Sequence, residues 1–187
     1  NIDVSHRLQH SVAENFAPEK VDQEYDLTLR NDLNTEGNIQ WYHFSVSTAS
    51  SETMHDDPPK KVVYPLKVRF NIVNMQKSDA LYNYGMKPAT FLSSNVRDDW
   101  RQKGQDICYY KQGPYSTEGD IDNNQKACYV LSFTYTFLGP VVVFFAHAFP
   151  YTYTDMKKYL ASLEDNPRIA AIMSRKEICK TIAGIYI

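Results

Sequence analysis

Two consecutive apolar stretches in the second half of the chain constrain its fold more than any other feature. In residues 129–137, large apolar side chains alternate with β-branched or hydroxylated ones, which predicts a strand. After Gly139-Pro140, residues 141–149 (VVVFFAHAF) form a run of β-branched and aromatic residues typical of a buried strand. Two such strands joined by a turn indicate a protein built mainly from β-sheet.

Further strand patterns precede this pair. Residues 66–72 alternate apolar with polar side chains, and the same period is found at 25–30 and 39–48, with short candidates at 90–93 and 107–111. Six or more strands without intervening helices predict an antiparallel β-sandwich. We expect 25–30 and 39–48 to form a hairpin around the turn-rich residues between them. The aromatic residues at 41, 42 and 44 occupy both faces of their strand. This suggests either that other parts of the protein cover both faces or that one face forms an interface.

The pattern changes after Pro150. Thr154 or Asp155 can cap a helix, which Asn166-Pro167 would end, and residues 179–187 (CKTIAGIYI) predict one or two strands. Such a tail cannot bury its own apolar surface, so it must pack on the sandwich or on further sequence. We therefore divide the chain into an extended or loosely helical lead-in, a β-sandwich and the start of a second unit, at residues 1–23, 24–150 and 151–187.

Composition and charge exclude some partners. The formal net charge of −2 predicts no nucleic-acid partner and no anionic membrane partner, and no apolar run reaches the ~20 residues of a membrane span. Cys108, Cys128 and Cys179 lack paired spacing, which indicates free thiols and a cytoplasmic protein. Residues 1–57 carry a net charge of −8 and residues 58–111 one of +6. The basic stretch could attract an acidic partner, or the two stretches could simply face one another.

No catalytic motif is found in the chain. It has no Gly-x-Ser-x-Gly elbow and no phosphate-binding glycine loop, and none of its five histidines is followed by glutamate three residues later. His6 and His10 would share one face of a helix, but no third metal ligand accompanies them. His43 and His147 lie in predicted strands, where local hydrogen bonds commonly satisfy a histidine. The residues themselves therefore identify no catalytic group and no metal ligand.

Five segments in sequence carry a resemblance to a known family. They are YDLTLRND at 25–32, NTEGNIQWYHFSV at 34–46, VRFNIVN at 68–74, LYNYGMKP at 81–88 and FFAHAFPYTY at 144–153. In order and spacing they resemble the N-terminal region of the cytosolic carboxypeptidases, zinc metallocarboxypeptidases that remove glutamates from tubulin and other acidic protein tails. The resemblance covers roughly residues 24–187.

This resemblance implies a non-catalytic β-sandwich placed directly before a catalytic α/β domain. Residues 151–187 would then be the first helix and strands of that domain, truncated before its His-Pro-Gly-Glu zinc motif. Zinc is accordingly expected in the absent catalytic domain and is not bound by this chain. The expected partners are the protein's own catalytic domain and acidic, tubulin-like tails. The expected roles are stabilising the catalytic domain and controlling substrate access or selection.

The resemblance also suggests which residues serve these roles. One group would pack against the catalytic domain or line the approach to its cleft: Tyr82, Tyr84, Met86, His147, Tyr151 and Tyr153. The alternative is that these side chains only close the sandwich's own core. A second group, taken from the basic stretch, would contact acidic partners: Lys67, Arg69 and Lys87.

Two other interpretations remain open from the sequence. One is an independent β-sandwich interaction module without an enzymatic parent, and the other is a lectin-like ligand-binding sandwich. Residues 112–126 (QGPYSTEGDIDNNQK) are an insertion by composition, and no function is assigned to them.

Overall fold

The computed structural model describes residues 2–6, 20–35, 37–48, 62–93, 99–112, 128–182 and 184. Its regular elements are nine strands, a short 3₁₀ helix and two α-helices. The strands are β1 (Ile2–His6), β2 (Gln23–Leu29), β3 (His43–Ser47), β4 (Leu66–Met75), β5 (Ala89–Leu92), β6 (Arg101–Gln102), β7 (Gln105–Gln112), β8 (Cys128–Phe137) and β9 (Val142–Ala146). The helices are the 3₁₀ helix (Leu81–Tyr84), α1 (Tyr153–Glu164) and α2 (Pro167–Ala170).

The strands form two sheets, which confirms the predicted β-sandwich class. The large sheet has the order β1-β2-β4-β8-β7 and the small sheet the order β3-β9-β5-β6. The expected hairpin between the second and third strands is wrong, since β2 and β3 lie in different sheets. This crossover allows apolar residues of both strands to face one core from opposite sides. In addition, β2 runs parallel to β4, so this neighbouring pair differs from the predicted antiparallel arrangement.

The beginning of the chain is part of the large sheet. β1 pairs antiparallel with β2, with Ile2 opposite Leu29 and His6 opposite Tyr25. His6 is therefore on a strand, and the helical spacing considered for His6 and His10 does not apply to it. His10 and the rest of residues 7–19 lie outside the described residues.

The core between the sheets is largely aromatic. Phe145 of β9 is fully buried at its centre, with ring centroids 5.2 Å from Phe44, 5.4 Å from Phe70 and 5.8 Å from Phe133. These three rings come from β3, β4 and β8, so one side chain joins strands of both sheets. Rings at such distances in tilted arrangements add attraction beyond the burial of their area.

The helix after the sandwich begins earlier than expected, because Thr152 is its N-cap in place of Thr154 or Asp155. The Thr152 side chain accepts a hydrogen bond from the Asp155 backbone N–H at 3.1 Å, and the Asp155 carboxylate accepts one from the Thr152 N–H at 2.9 Å. Hydrogen bonds from Thr152 lower the pKa of Asp155. This capping box satisfies two backbone donors that a helix start would otherwise leave open.

The tail beyond α1 has little regular structure within the described residues. Helix α2 follows with Pro167 in its first turn, and Lys180 forms an isolated bridge where strands at 179–187 were predicted. Residue 183 and residues 185–187 lie outside the described residues, so the rest of that prediction stays open. None of the described helices combines the length and the apolar character needed to cross a membrane.

Candidate functional site

Three hydrogen-bonded aromatic side chains meet at the end of the sandwich where β9 finishes. The Tyr82 hydroxyl, in the 3₁₀ helix, lies 2.8 Å from the hydroxyl of Tyr42 and 3.1 Å from Nδ1 of His147. Tyr42 directly precedes β3 and His147 directly follows β9. Their backbones are also joined, since the His147 N–H donates to the Tyr42 carbonyl at 3.0 Å. We call these three residues the Tyr-His chain.

Burial keeps every member of the Tyr-His chain uncharged near neutral pH. Tyr42 and Tyr82 are 1% and 4% exposed. Burial raises the pKa of Tyr82 to about 12 and the pKa of Tyr42 well above its usual value of 10. For His147, burial is the main cause that lowers the pKa, and the charge of Lys77 adds to it. When the neutral imidazole carries its proton on Nε2, Nδ1 accepts from the Tyr82 hydroxyl and the Tyr82 oxygen accepts from Tyr42, so the three groups form one continuous chain of hydrogen bonds.

The arrangement suits a structural role better than a catalytic one. A general base or nucleophile needs a pKa near the operating pH and access to a substrate. Here both hydroxyls are buried, and their pKa values lie far above neutrality. The Tyr-His chain instead ties the 3₁₀ helix to one end of the β3–β9 pair, through the residues that flank both strands there.

The predicted interface residues fall into an inner and an outer group. Tyr82 and His147 belong to the inner group, and Met86 is partly buried against the core. Tyr84 is 74% exposed, and its hydroxyl donates to the Asp79 carboxylate at 3.1 Å. Tyr151 and Tyr153 are 67% and 40% exposed. The first group closes the end of the core, while the second projects from it.

Exposed apolar side chains flank the Tyr-His chain along the sequence. Trp41 precedes Tyr42, two others flank Tyr82, and the rest follow His147 toward α1. We call this set the apolar rim: Trp41, Leu81, Tyr84, Phe149, Tyr151 and Tyr153. Sequence reasoning found three of the six. Of the other three, Trp41 and Phe149 fall within predicted strands and Leu81 within one of the five resembling segments, and their exposure depends on where the strands and the 3₁₀ helix end.

The three predicted basic contacts do not form one patch. Lys67 Nζ lies 3.0 Å from the Asp106 carboxylate, and the Lys67 side chain is only 17% exposed. A hydrogen bond from Thr134 is the first cause that lowers the pKa of Asp106, and Lys67 and Arg69 lower it further. Lys87 is exposed and precedes β5 of the other sheet. The structure therefore separates Lys87 from Lys67 and Arg69, whose charges already act on the Asp106 carboxylate.

Sequence reasoning missed an aromatic cluster on the outer face of the small sheet. His43 lies at its centre, with ring centroids 6.3 Å from Trp41, 5.7 Å from Trp100 and 6.1 Å from Phe144. Phe91 packs on Trp100 and Phe144 from the neighbouring strand. The aromatics on both faces of 39–48 were the available signal, but Trp100 lies in a charged loop whose position only the fold shows.

A groove of about 650 Å³ opens between the sheets, away from the predicted site residues. Its walls are β2 and β4 on one side and β3 on the other, and they are mainly apolar: Tyr25, Leu27, Phe44, Val46, Val68 and Phe70. The predicted interface residues line none of it. The groove therefore adds no chemistry to the Tyr-His chain.

The described residues do not fit a zinc site. Among them, no three His, Cys, Asp or Glu side chains lie close enough together to hold a metal ion. Cys108, Cys128 and Cys179 are not joined by disulfides. We therefore assign no catalytic step to the described part of the chain.

Comparison with known proteins identifies the relatives of this chain. No family model matches it. It is 36% identical over 165 residues to cytosolic carboxypeptidase 2 of Homo sapiens, an alignment that covers 86% of this chain and 16% of that protein. It is 34% identical over 168 residues to cytosolic carboxypeptidase 1 of Gallus gallus, covering 86% and 13% of the two chains. Cytosolic carboxypeptidase 3 of Mus musculus is 33% identical over 169 residues, covering 87% and 15%.

The chain thus spans less than a fifth of the length of these relatives. Among solved structures, a metallo-carboxypeptidase from Burkholderia cenocepacia aligns with a TM-score of 0.49 at 13% identity, covering 100% of this chain and 38% of that one. The family assignment rests on the curated relatives. They confirm the resemblance to the N-terminal region of these proteins that the five segments predicted. Over the aligned stretch, this chain belongs to the cytosolic carboxypeptidase family.

Proposed function

We propose that this chain is the non-catalytic N-terminal domain of a cytoplasmic zinc metallocarboxypeptidase that removes glutamates from acidic protein tails. Its sandwich would dock on the catalytic domain through the apolar rim and the tail that follows. The observation that carries this proposal is the exposure of apolar side chains after β9. Phe149, Tyr151, Tyr159, Ile172 and Ile178 are each more than half exposed.

Helix α1 supports the proposal because no element within the described residues buries one of its faces. None of its twelve residues is buried, and α2 is the element it contacts most. Isolated helices shorter than about 12–15 residues are marginal in water, and most helices are stabilised by packing one face. The capping box sets where α1 starts but does not bury any of its faces. A second protein surface that covers α1 and the apolar rim would stabilise the helix by burying one face.

The chemistry of the site supports the proposed non-catalytic role. The Tyr-His chain is buried and uncharged, and among the described residues no three possible metal ligands lie together. Peptide hydrolysis by a metallocarboxypeptidase would therefore depend on residues elsewhere in the parent protein. The cytoplasmic assignment is supported by the names of the relatives, all of them cytosolic carboxypeptidases.

A chimera tests the docking role. The aligned segment of human cytosolic carboxypeptidase 2 is replaced by this chain, and release of glutamate from a glutamate-ending peptide is measured. We expect an active chimera. The double variant Tyr84→Ser/Tyr151→Ser should lower kcat/KM by about tenfold or more, because truncating central interface residues commonly costs 1–2 kcal/mol.

The matched control is Leu138→Ser, because Leu138 is 83% exposed at the β8–β9 turn, at the opposite end of β9 from the apolar rim. We expect this variant to leave activity unchanged. A folded chimera without activity, or equal losses in the control and the double variant, would argue for an independent interaction module instead.

Selection of acidic tails requires a basic group that is free to meet a substrate. Lys87 suits this better than Lys67, which faces Asp106 at 3.0 Å. In an active chimera we expect Lys87→Glu to lower kcat/KM on a glutamate-ending peptide about two- to fivefold more than on a neutral one, since one exposed charge pair contributes roughly 0.2–1 kcal/mol.

Lys67→Met provides the comparison for Lys87→Glu. It removes the Lys67 charge without placing a second carboxylate beside Asp106, and we expect similar activity on the two peptides. If Lys87→Glu affects both peptides equally, Lys87 does not select acidic tails. That result would leave the docking role intact.

A further inference from the structure

The 3₁₀ helix is attached to the sandwich by one buried tyrosine. The Tyr82 hydroxyl is hydrogen-bonded to Tyr42 and to His147, and its ring stacks on Tyr109 with centroids 6.4 Å apart. Tyr109 in turn donates its hydroxyl proton to the Lys77 carbonyl at 2.6 Å. The flanking Leu81 and Tyr84 are both exposed. The position of this part of the apolar rim therefore depends on the bonds that Tyr82 makes.

These bonds require a neutral His147. Once protonated, Nδ1 becomes a donor and points a second proton at the Tyr82 oxygen, which already accepts from Tyr42. In one outcome, the Tyr42–Tyr82 bond reverses, and the buried Tyr42 hydroxyl then loses the acceptor of its own proton at 2.8 Å. In the other, the Tyr82 proton turns to the His147 carbonyl at 3.4 Å, which exceeds the normal range of about 2.5–3.0 Å for a bond between two oxygens. In either case, protonation costs the chain one good hydrogen bond.

The surrounding charges do not compensate the imidazolium. Tyr42 and Tyr82 face His147 as neutral hydroxyls, Tyr109 lies behind Tyr82, and the charge that acts on His147 is the cation of Lys77. The Asp79 carboxylate accepts from the Tyr84 hydroxyl and from the Ala80 N–H, so it is engaged within the 3₁₀ segment.

We propose that the Tyr-His chain is a proton-sensitive latch, in which protonation of His147 releases the 3₁₀ helix and its exposed side chains from the sandwich. The latch is a property of this fold and does not depend on the proposed enzymatic parent. Within a carboxypeptidase it would govern how the apolar rim is presented to the catalytic domain.

The pH dependence follows from the direction of the pKa shift. Burial lowers the pKa of His147 below its usual 6.5, so the released form binds a proton more readily than the latched form. The latch is therefore fully effective above about pH 6.5 and weakens as the pH falls toward the lowered pKa. Because one proton is taken up on opening, the opening equilibrium constant can rise by at most about tenfold per pH unit.

Hydrogen exchange of two amides in this segment provides the test. The Asn83 N–H donates to the Ala80 carbonyl and the Met86 N–H to the Leu81 carbonyl, each at 3.0 Å, so both report on the 3₁₀ turn. Exchange is measured on the whole chain between about pH 7.5 and 5, corrected for the intrinsic rate and referenced to amides of β4. We expect their opening constant, relative to β4, to rise at least threefold below about pH 6.5.

Three variants separate the latch from general acid effects. His147→Asn keeps an uncharged side chain near the Nδ1 position and should abolish the rise. His43→Asn is the matched control, because His43 is an exposed histidine on the outer face, and it should behave as the wild type. If His147→Asn does not fold, His147→Gln takes its place, since its uncharged amide cannot take up a proton in this pH range and should also abolish the rise. A rise that persists in a folded His147 variant, or a flat profile in the wild type, overturns the proposal.

Discussion

Replacing Phe145 by alanine is expected to lower the free energy of unfolding by about 3–5 kcal/mol, the usual cost of truncating a fully buried phenylalanine. Its ring is 0% exposed and packs against Phe44, Phe70 and Phe133 from three different strands. The cavity would open between the two sheets, where both backbones are held by their ladders and cannot collapse into it. Denaturant unfolding followed by tryptophan fluorescence would measure the loss.

The neighbouring residue is the control for this variant. Phe144 points to the outer face of the same strand and is only half buried. Phe144→Ala removes the same atoms from a less buried position, so it should lower the free energy of unfolding clearly less than Phe145→Ala does. Equal losses would mean that the core is not centred between the sheets as described.

Removing the Tyr82 hydroxyl is expected to destabilise the protein by about 1–3 kcal/mol, because its buried partners lose their bonds. In Tyr82→Phe, the Tyr42 hydroxyl loses its hydrogen-bond partner at 2.8 Å and His147 Nδ1 loses its partner at 3.1 Å. Tyr42 is 1% exposed, so water does not easily replace the lost bond. The same unfolding experiment, carried out near neutral pH, would measure the effect.

A double variant tests whether the cost arises from the unpaired partners. Tyr42→Phe/Tyr82→Phe removes both hydroxyls, so its cost should be smaller than the sum of the two single variants. Tyr84→Phe removes a hydroxyl from a side chain that is 74% exposed, and it should change stability by no more than about 0.5 kcal/mol. Strict additivity in the cycle would contradict the hydrogen-bonded chain.

Strand positions were predicted well where large apolar side chains alternate with smaller or polar ones, even though the second face of β8 is buried as well, at Val130 and Thr134. β4 and β8 show this best: Val68, Phe70, Leu131 and Phe133 are buried toward the core, in register with partners across the ladder. Period-two alternation is a local consequence of the pleat, so neighbouring residues suffice to reveal it. The change from strand-like to helix-like spacing of apolar residues after Pro150 is local in the same way, and the helix it predicted is confirmed by α1.

Strand partners could not be predicted in the same manner. The shortest connection favoured a hairpin between the second and third strands, yet β2 pairs in parallel with β4 while β3 pairs with β9. Both arrangements bury the same alternate residues of each strand, so the alternation does not distinguish them. The choice depends on which sheet covers which, and that is a property of the whole core.

The sequence by itself determined the β class, the strand-to-helix change after Pro150 and the family resemblance, because each is carried by short stretches of neighbouring residues. Only the tertiary structure decided what the predicted site residues do. Tyr82 and His147 are 65 positions apart, and Tyr42 lies 40 positions before Tyr82. Their hydrogen bonds exist because the two sheets bring three distant segments to one end of the sandwich. Burial there turns ordinary aromatic residues into a neutral bonded chain and leaves their sequence neighbours exposed.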